Sequence, residues 1–192
     1  MRSVLAVVIL IGLAGCAGKY ETFQPPPLDF GSQPPLRFAV GSIDIQTAYR
    51  PQETPPYVEQ TFALTPEAAT RQLLEHRLQA AGGPGRLQAV ILDASVTEQK
   101  LETEGGLKGF FTTQPAARFD GRLKVRIDHL DDAGNVKGSV STAVSRSEAL
   151  PEDIGYADRQ RLGYELVRDL IADLDAGLTA NLRETFADLL RP

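Results

Sequence analysis

The chain has 192 residues, 42% of them hydrophobic, with 20 Lys and Arg against 25 Asp and Glu for a net charge of −5. With no Trp, two His and a single Cys, it lacks a disulfide framework and a Cys/His zinc cluster, so neither a metal nor a redox cofactor is expected. The acidic balance argues against a nucleic-acid partner, which would call for concentrated basic surface.

Behind Met1 and Arg2, residues 3–12 form an almost uninterrupted apolar run. It is well short of the roughly 20 residues a membrane-spanning helix needs, and reads as the core of a secretory signal. Leu13-Ala14-Gly15-Cys16 follows at once. These four residues resemble the bacterial lipobox. The resemblance implies cleavage between Gly15 and Cys16, diacylglycerol on the Cys16 thiol and an acyl group such as palmitate on the new amine. Two or three acyl chains hold a protein stably at a bilayer where one does not. A non-lipidated signal and an uncleaved signal anchor are the alternatives. Ala17, where an Asp would retain such lipoproteins at the inner membrane, implies the periplasmic side of the outer membrane, with the inner membrane second.

Residues 17–35 contain Pro25-Pro26-Pro27 and Pro34-Pro35, a composition that favours extended, polyproline-like chain. Fully extended, this stretch reaches about 55 Å. It reads first as a plain tether. Tyr20, Phe23, Leu28 and Phe30 leave open that it packs along the domain or on a partner. The organisation is then a signal peptide over 1–15, a lipidated Cys and Pro-rich tether over 16–35, and a single α+β domain over 36–192.

Leu36, Phe38 and Val40 alternate with other residues before the apolar phase shifts to Ile43 and Ile45 across Gly41-Ser42, which predicts one strand with a bulge or twist at Gly41. Prolines 51, 55 and 56 make 47–64 a loop. Thr65-Pro66-Glu67 combines a capping hydroxyl, a first-turn proline and a first-turn carboxylate. The helix it starts is expected to run to Gly82-Gly83-Pro84, burying Ala69, Leu73, Leu74, Leu78 and Ala81. Residues 87–97 are apolar on both alternations and predict a largely buried central strand. Phe119, Leu123, Val125 and Ile127 alternate with charged residues, Asp131-Asp132-Ala133-Gly134-Asn135 makes a turn, and Val136, Val140 and Val144 return. Residues 118–146 therefore form a hairpin.

From about Tyr156 the pattern is helical, with an i, i+4 series from Leu162 to Leu190. Each step overshoots a turn by about 40°, so a straight helix would carry that stripe round its cylinder. The helix is expected to wrap, bend or break, with Gly177 as the natural hinge. The order β-α-β-β-β-α gives an α+β two-layer sandwich, a mostly antiparallel sheet with two helices on one face. The unit from the first strand through the helix to the second implies one parallel or spaced pairing. Lipobox, Pro-rich tether and this order of elements together are similar to auxiliary lipoproteins of ABC-type lipid transport or of lipopolysaccharide assembly; no binding residue carries over.

For catalysis the chain offers little. His76 and His129 lie outside metal-binding spacings, and no nucleophile elbow, P-loop or dinucleotide fingerprint occurs. The glycines around Leu107 lack the Lys-Ser/Thr ending of a phosphate loop. Asp169, Asp173 and Asp175 read as a solvated helix face. Two candidate partner contacts remain. Leu107, Phe110 and Phe111 sit in the Gly-rich connection 101–114, as a mobile apolar tip or a cap on the core. Arg122, Lys124 and Arg126 share one strand face opposite Ser139, Ser141 and Ser145, free to dock an acidic group, or paired and solvated. The expectation is a lipid-anchored, periplasmic accessory protein of envelope transport or assembly, not an enzyme, acting on an envelope protein partner. A lipid or small-ligand-binding module is the alternative, and would need an apolar cavity between sheet and helices.

Overall fold

Two helices lie across one face of a four-stranded sheet in the computed structural model, which describes residues 22–30, 33–101 and 115–192. The elements run β1 (Leu36–Phe38), β2 (Ser42–Thr47), α1 (Pro66–Arg77), β3 (Leu78–Ala80), β4 (Arg86–Lys100), β5 (Pro115–Leu130), β6 (Val136–Pro151), α2 (Tyr156–Thr185) and β7 (Leu190–Arg191). The main sheet has the order β2-β4-β5-β6. β2 and β4 are parallel, as a strand–helix–strand crossover requires. The β4-β5 and β5-β6 pairs are antiparallel. The α+β two-layer sandwich expected from the sequence is the observed architecture.

Three local departures share one cause: backbone pairing that side-chain patterning does not record. The first predicted strand is two strands in different sheets. The phase shift at Gly41 is a change of sheet rather than a bulge, and the Gly41 N–H donates to the Gly85 carbonyl at 2.9 Å. Helix α1 starts as expected, with the Thr65 hydroxyl accepting from the Ala68 N–H at 3.3 Å and Pro66 in the first turn. It stops at Arg77, four residues short of the expected end, because Leu78–Ala80 pair in parallel with β1. Leu78 is buried either way, so its hydrophobicity does not distinguish the two states. β7 closes this second, smaller sheet in the order β3-β1-β7.

β4 shows how one residue inverts a surface. Leu87, Ala89 and Ile91 face the helices and are fully buried. Between Ile91 and Asp93 the register with β5 slips. Beyond the slip Ala94 and Val96 are the buried residues, while Asp93, Ser95 and Thr97 share the opposite face. An inserted residue reverses the inside and outside of a strand because the side-chain period is two. The apolar residues on both alternations thus reflect in part a bulge, and residues 87–97 are the largely buried central strand expected, between β2 and β5 and with none of its residues exposed. β5 keeps phase from Ala117 to Ile127, with Phe119, Leu123, Val125 and Ile127 inside and Arg122, Lys124 and Arg126 exposed.

The hairpin turn is tied by Asp131, whose carboxylate accepts from the Ala133 N–H at 3.0 Å and the Asn135 N–H at 2.8 Å. Gly134 follows with φ +85. α2 is one unbroken helix of 30 residues. Gly177 is not a break in it but a point of close approach: a Cβ there would lie 2.9 Å from Thr142 Cγ2 on β6. From Leu166 to Phe186, just past the end of α2, the winding stripe stays buried because its partners change along the way. Leu166 and Leu170 press on the backbone at Gly121, and Phe186 covers Gly138.

Candidate functional site

Two surfaces are the candidates for a functional site, one on each side of the sandwich. On the helical side, residues 22–30 lie along the domain. Phe23 meets the Tyr164 ring at 5.9 Å, and Phe30 stacks on His76 at 5.4 Å. Leu28 and Phe30 pack against the core cluster. Arg77, 4% exposed, ties the arrangement together: its guanidinium donates to Asp175 at 2.7 Å, to Thr179 Oγ1 at 2.8 Å and to the Pro34 carbonyl. A groove of about 500 Å3 remains between this segment and the helices, lined in part by Leu28, Phe30, Leu73, Tyr164 and Ile171. His76 Nε2 is buried with no hydrogen-bond partner among the described residues. His129 instead meets the edge of Phe186 at 6.2 Å.

On the other side, the outer face of the sheet is polar. Arg122, Lys124 and Arg126 do project together from β5, opposite Ser145, Ala143 and Ser141 of β6. They are not equivalent. Arg126 pairs with Asp128 at 3.0 Å, which also accepts from Ser139 at 2.6 Å. Arg122 and Lys124 make no ion pair among the described residues. The neighbouring Asp120 accepts from Ser147 at 2.5 Å and from Arg118. Partial burial works against its charge, but those bonds from Ser147 and Arg118 prevail and hold the carboxyl below its ordinary range.

Part of this face is roofed. The chain leaving β2 crosses over the sheet and returns as a short antiparallel bridge, Tyr57 opposite Thr97. The Val58 N–H donates to the Val96 carbonyl and the Glu98 N–H to the Pro56 carbonyl, at 2.9 and 2.8 Å. Glu59, 1% exposed, locks the roof: it accepts from the Tyr49 hydroxyl and, at 3.2 Å, from the Val96 N–H. Burial, with Glu59 as acceptor and neighbouring charge, pushes the Tyr49 phenol well above its ordinary value. Between roof and sheet lies a cleft of about 230 Å3, lined by Tyr49, Gln52, Tyr57, Asp93, Ser95, Thr97, Asp120 and Arg122.

Of the residues singled out from the sequence, only Arg122 reaches this cleft. Lys124 and Arg126 extend along the open sheet. Leu107, Phe110 and Phe111, with Gly15 and Cys16, lie outside the described residues. The cleft's other residues carried one usable signal, the apolar phase reversal around Leu92 that turns Asp93, Ser95 and Thr97 outward. Asp169, Asp173 and Asp175 are more engaged than a solvated face implies. Arg146 reaches Asp173 at 2.5 Å and Asp169 at 3.5 Å, and Asp175 belongs to Arg77.

No protein-family model matches the chain, and no curated protein sequence does. Among solved structures it is similar to a minor lipoprotein from Acinetobacter baumannii, with 18% identity, 79% of this chain and 96% of that chain covered, and a TM-score of 0.39. A protein from Xanthomonas campestris shows 9% identity over 84% of this chain and 91% of its own, with a TM-score of 0.38. The rare lipoprotein B from Shewanella oneidensis shows 11% identity over 74% of this chain and 99% of its own, with a TM-score of 0.37. Likeness at this level assigns neither family nor function.

Proposed function

We propose that this chain is a lipid-anchored, periplasmic accessory lipoprotein of cell-envelope transport or assembly, acting by contact with a protein partner rather than by catalysis. The observation that carries the reading is Leu13-Ala14-Gly15-Cys16 directly behind an apolar run of signal-peptide length. The interior supports a contact role over a lipid-carrying one. A ligand-binding module of the kind weighed above needs an empty apolar space between sheet and helices. Phe38, Leu73, Phe119, Leu123, Leu170 and Leu174 occupy that space, each with 1% exposure or less. The candidates for contact are Arg122, Lys124 and Arg126 on the outer sheet face and, on the sequence alone, Leu107, Phe110 and Phe111, which lie outside the described residues.

Metabolic labelling with a palmitate analogue, membrane fractionation and pull-down test the reading together. The wild-type chain is expected to be labelled and membrane-bound, and to recover an envelope protein. Cys16→Ser is expected to lose the label and leave the outer-membrane fraction, while the Phe110→Ala/Phe111→Ala variant stays anchored and loses the partner. An unlabelled wild-type chain overturns the anchor. Unchanged partner recovery by the double variant removes the loop contact.

A further inference from the structure

We infer that the roofed cleft on the outer face of the sheet is a saccharide-binding site that takes one pyranose ring of an uncharged glycan. This inference stands on the cleft alone and not on the lipid anchor. The floor is a small grid of polar side chains fixed by strand register. Thr97 lies opposite Asp120 and Ser95 opposite Arg122, with Asp93 beside them on β4. Facing neighbours in a sheet stand about 5 Å apart and same-face positions along a strand about 7 Å, a spacing commensurate with the hydroxyls around one six-membered sugar ring.

The chemistry of the lining selects this ligand class. Ser95 and Thr97 hydroxyls, the Tyr57 phenol and the Arg122 guanidinium make no side-chain hydrogen bond to protein among the described residues, so donors and acceptors are available side by side. Asp93 and Asp120 oppose a phosphate or carboxylate ligand. Arg122 opposes a bare cation. A neutral ligand with alternating donors and acceptors satisfies all of them, and the Tyr49 and Tyr57 rings in the lining offer apolar surface to the C–H face of a sugar. At about 230 Å3 the cleft is smaller than the roughly 300–1,000 Å3 of drug-sized pockets, which limits it to one ring.

The site is also rigid before any ligand arrives. Its floor is the centre of the sheet, and its roof is held at one end by Ala48 and Tyr49 N–H groups on the Ile91 carbonyl, at 2.9 and 3.1 Å. At the other end the bridge at Tyr57 and the buried Glu59 hold it. Beyond that, Gln160 of α2 clamps the chain, donating to the Thr61 carbonyl at 2.7 Å and accepting from the Ala63 N–H at 2.8 Å. Binding groups fixed in this way lose little freedom on association.

The test is titration of the isotope-labelled full chain, as purified and in a non-glycosidic detergent, followed by amide NMR. Chitotriose and maltotriose are the probes, with spermidine and glucuronate as charged controls. Saturable shifts confined to Tyr57, Ser95, Thr97, Asp120 and Arg122 are expected with at least one trisaccharide. Arg122→Ala, an exposed position, and Tyr57→Ala are each expected to weaken that binding about tenfold or more. The inference is overturned by absence of saturable shifts with both trisaccharides, by shifts at these residues with a charged control alone, or by affinities that neither variant changes.

Discussion

Arg77 joins three parts of the molecule through one side chain. α1 supplies the guanidinium, α2 the carboxylate and hydroxyl of Asp175 and Thr179, and the segment before β1 the Pro34 carbonyl. Removing the cation leaves Asp175, 19% exposed, without its partner, and frees the Thr179 hydroxyl and the Pro34 carbonyl as well. Breaking a buried pair from one side typically costs 3–5 kcal/mol, and the partial exposure of Asp175 places Arg77→Ala near the lower end, about 3 kcal/mol. Urea denaturation measures this, and Arg77→Ala/Asp175→Ala should recover part of the loss. A double variant no more stable than Arg77→Ala would show that the cation matters through packing alone. Nothing in the sequence marks Arg77, because a charge in the last turn of a helix is ordinary and its partners lie 43 to 102 residues away.

Among the elements, α2 sets helix propensity against packing. Replacing an interior helix Gly by Ala ordinarily stabilises by up to about 1 kcal/mol. At Gly177 the new methyl would meet Thr142 Cγ2 at 2.9 Å, on a side chain held by a bond from Asn181 at 2.9 Å. Overpacking of this kind costs about 1–3 kcal/mol. Gly177→Ala is therefore expected to lower stability in thermal or urea unfolding, and adding Thr142→Ser, which deletes that methyl, to restore it. If Gly177→Ala alone stabilises, Gly177 is a weak helix residue and nothing more. The sequence carried the hairpin, the cap at Thr65 and the long helix, because each writes a periodic or local signal. It could not carry β3 or β7, which contribute three and two residues to a sheet defined only by backbone bonds. Nor could it place the cleft, whose eight lining residues become neighbours only once β4 reverses phase and the chain after β2 folds over it.

Across the whole molecule, charge pairing links stability to pH. The Arg159 guanidinium, bonded to Glu98 and stacked 4.8 Å over the Phe119 ring, holds the Glu98 carboxyl below its ordinary value. Arg146 does the same to Asp173. A carboxyl whose pKa is lower folded than unfolded stabilises the fold above its unfolded value of about 4, and that contribution is lost as pH falls through the lowered folded value. Stability is therefore expected to be flat with respect to these groups near neutrality and to decline below about pH 4. Glu98→Gln should lower stability at neutral pH and make the acid decline shallower. An acid limb identical to the wild type would mean that the pair contributes no linkage.

Docking of residues 22–30 on the helices has a consequence for posture. With Cys16 anchored as proposed and Phe23 seated against Tyr164, only residues 17–22 remain to span the gap between bilayer and domain. That is about 20 Å at full extension, against about 55 Å for an undocked tether. The helical layer would then ride close above the headgroups. The opposite face of the sheet, with its cleft and its row of serines and basic residues, would be turned away from the membrane. On the proposed anchor, a short leash of this kind would convert a tethered domain into an oriented one, with one side toward the bilayer and the other open to partners.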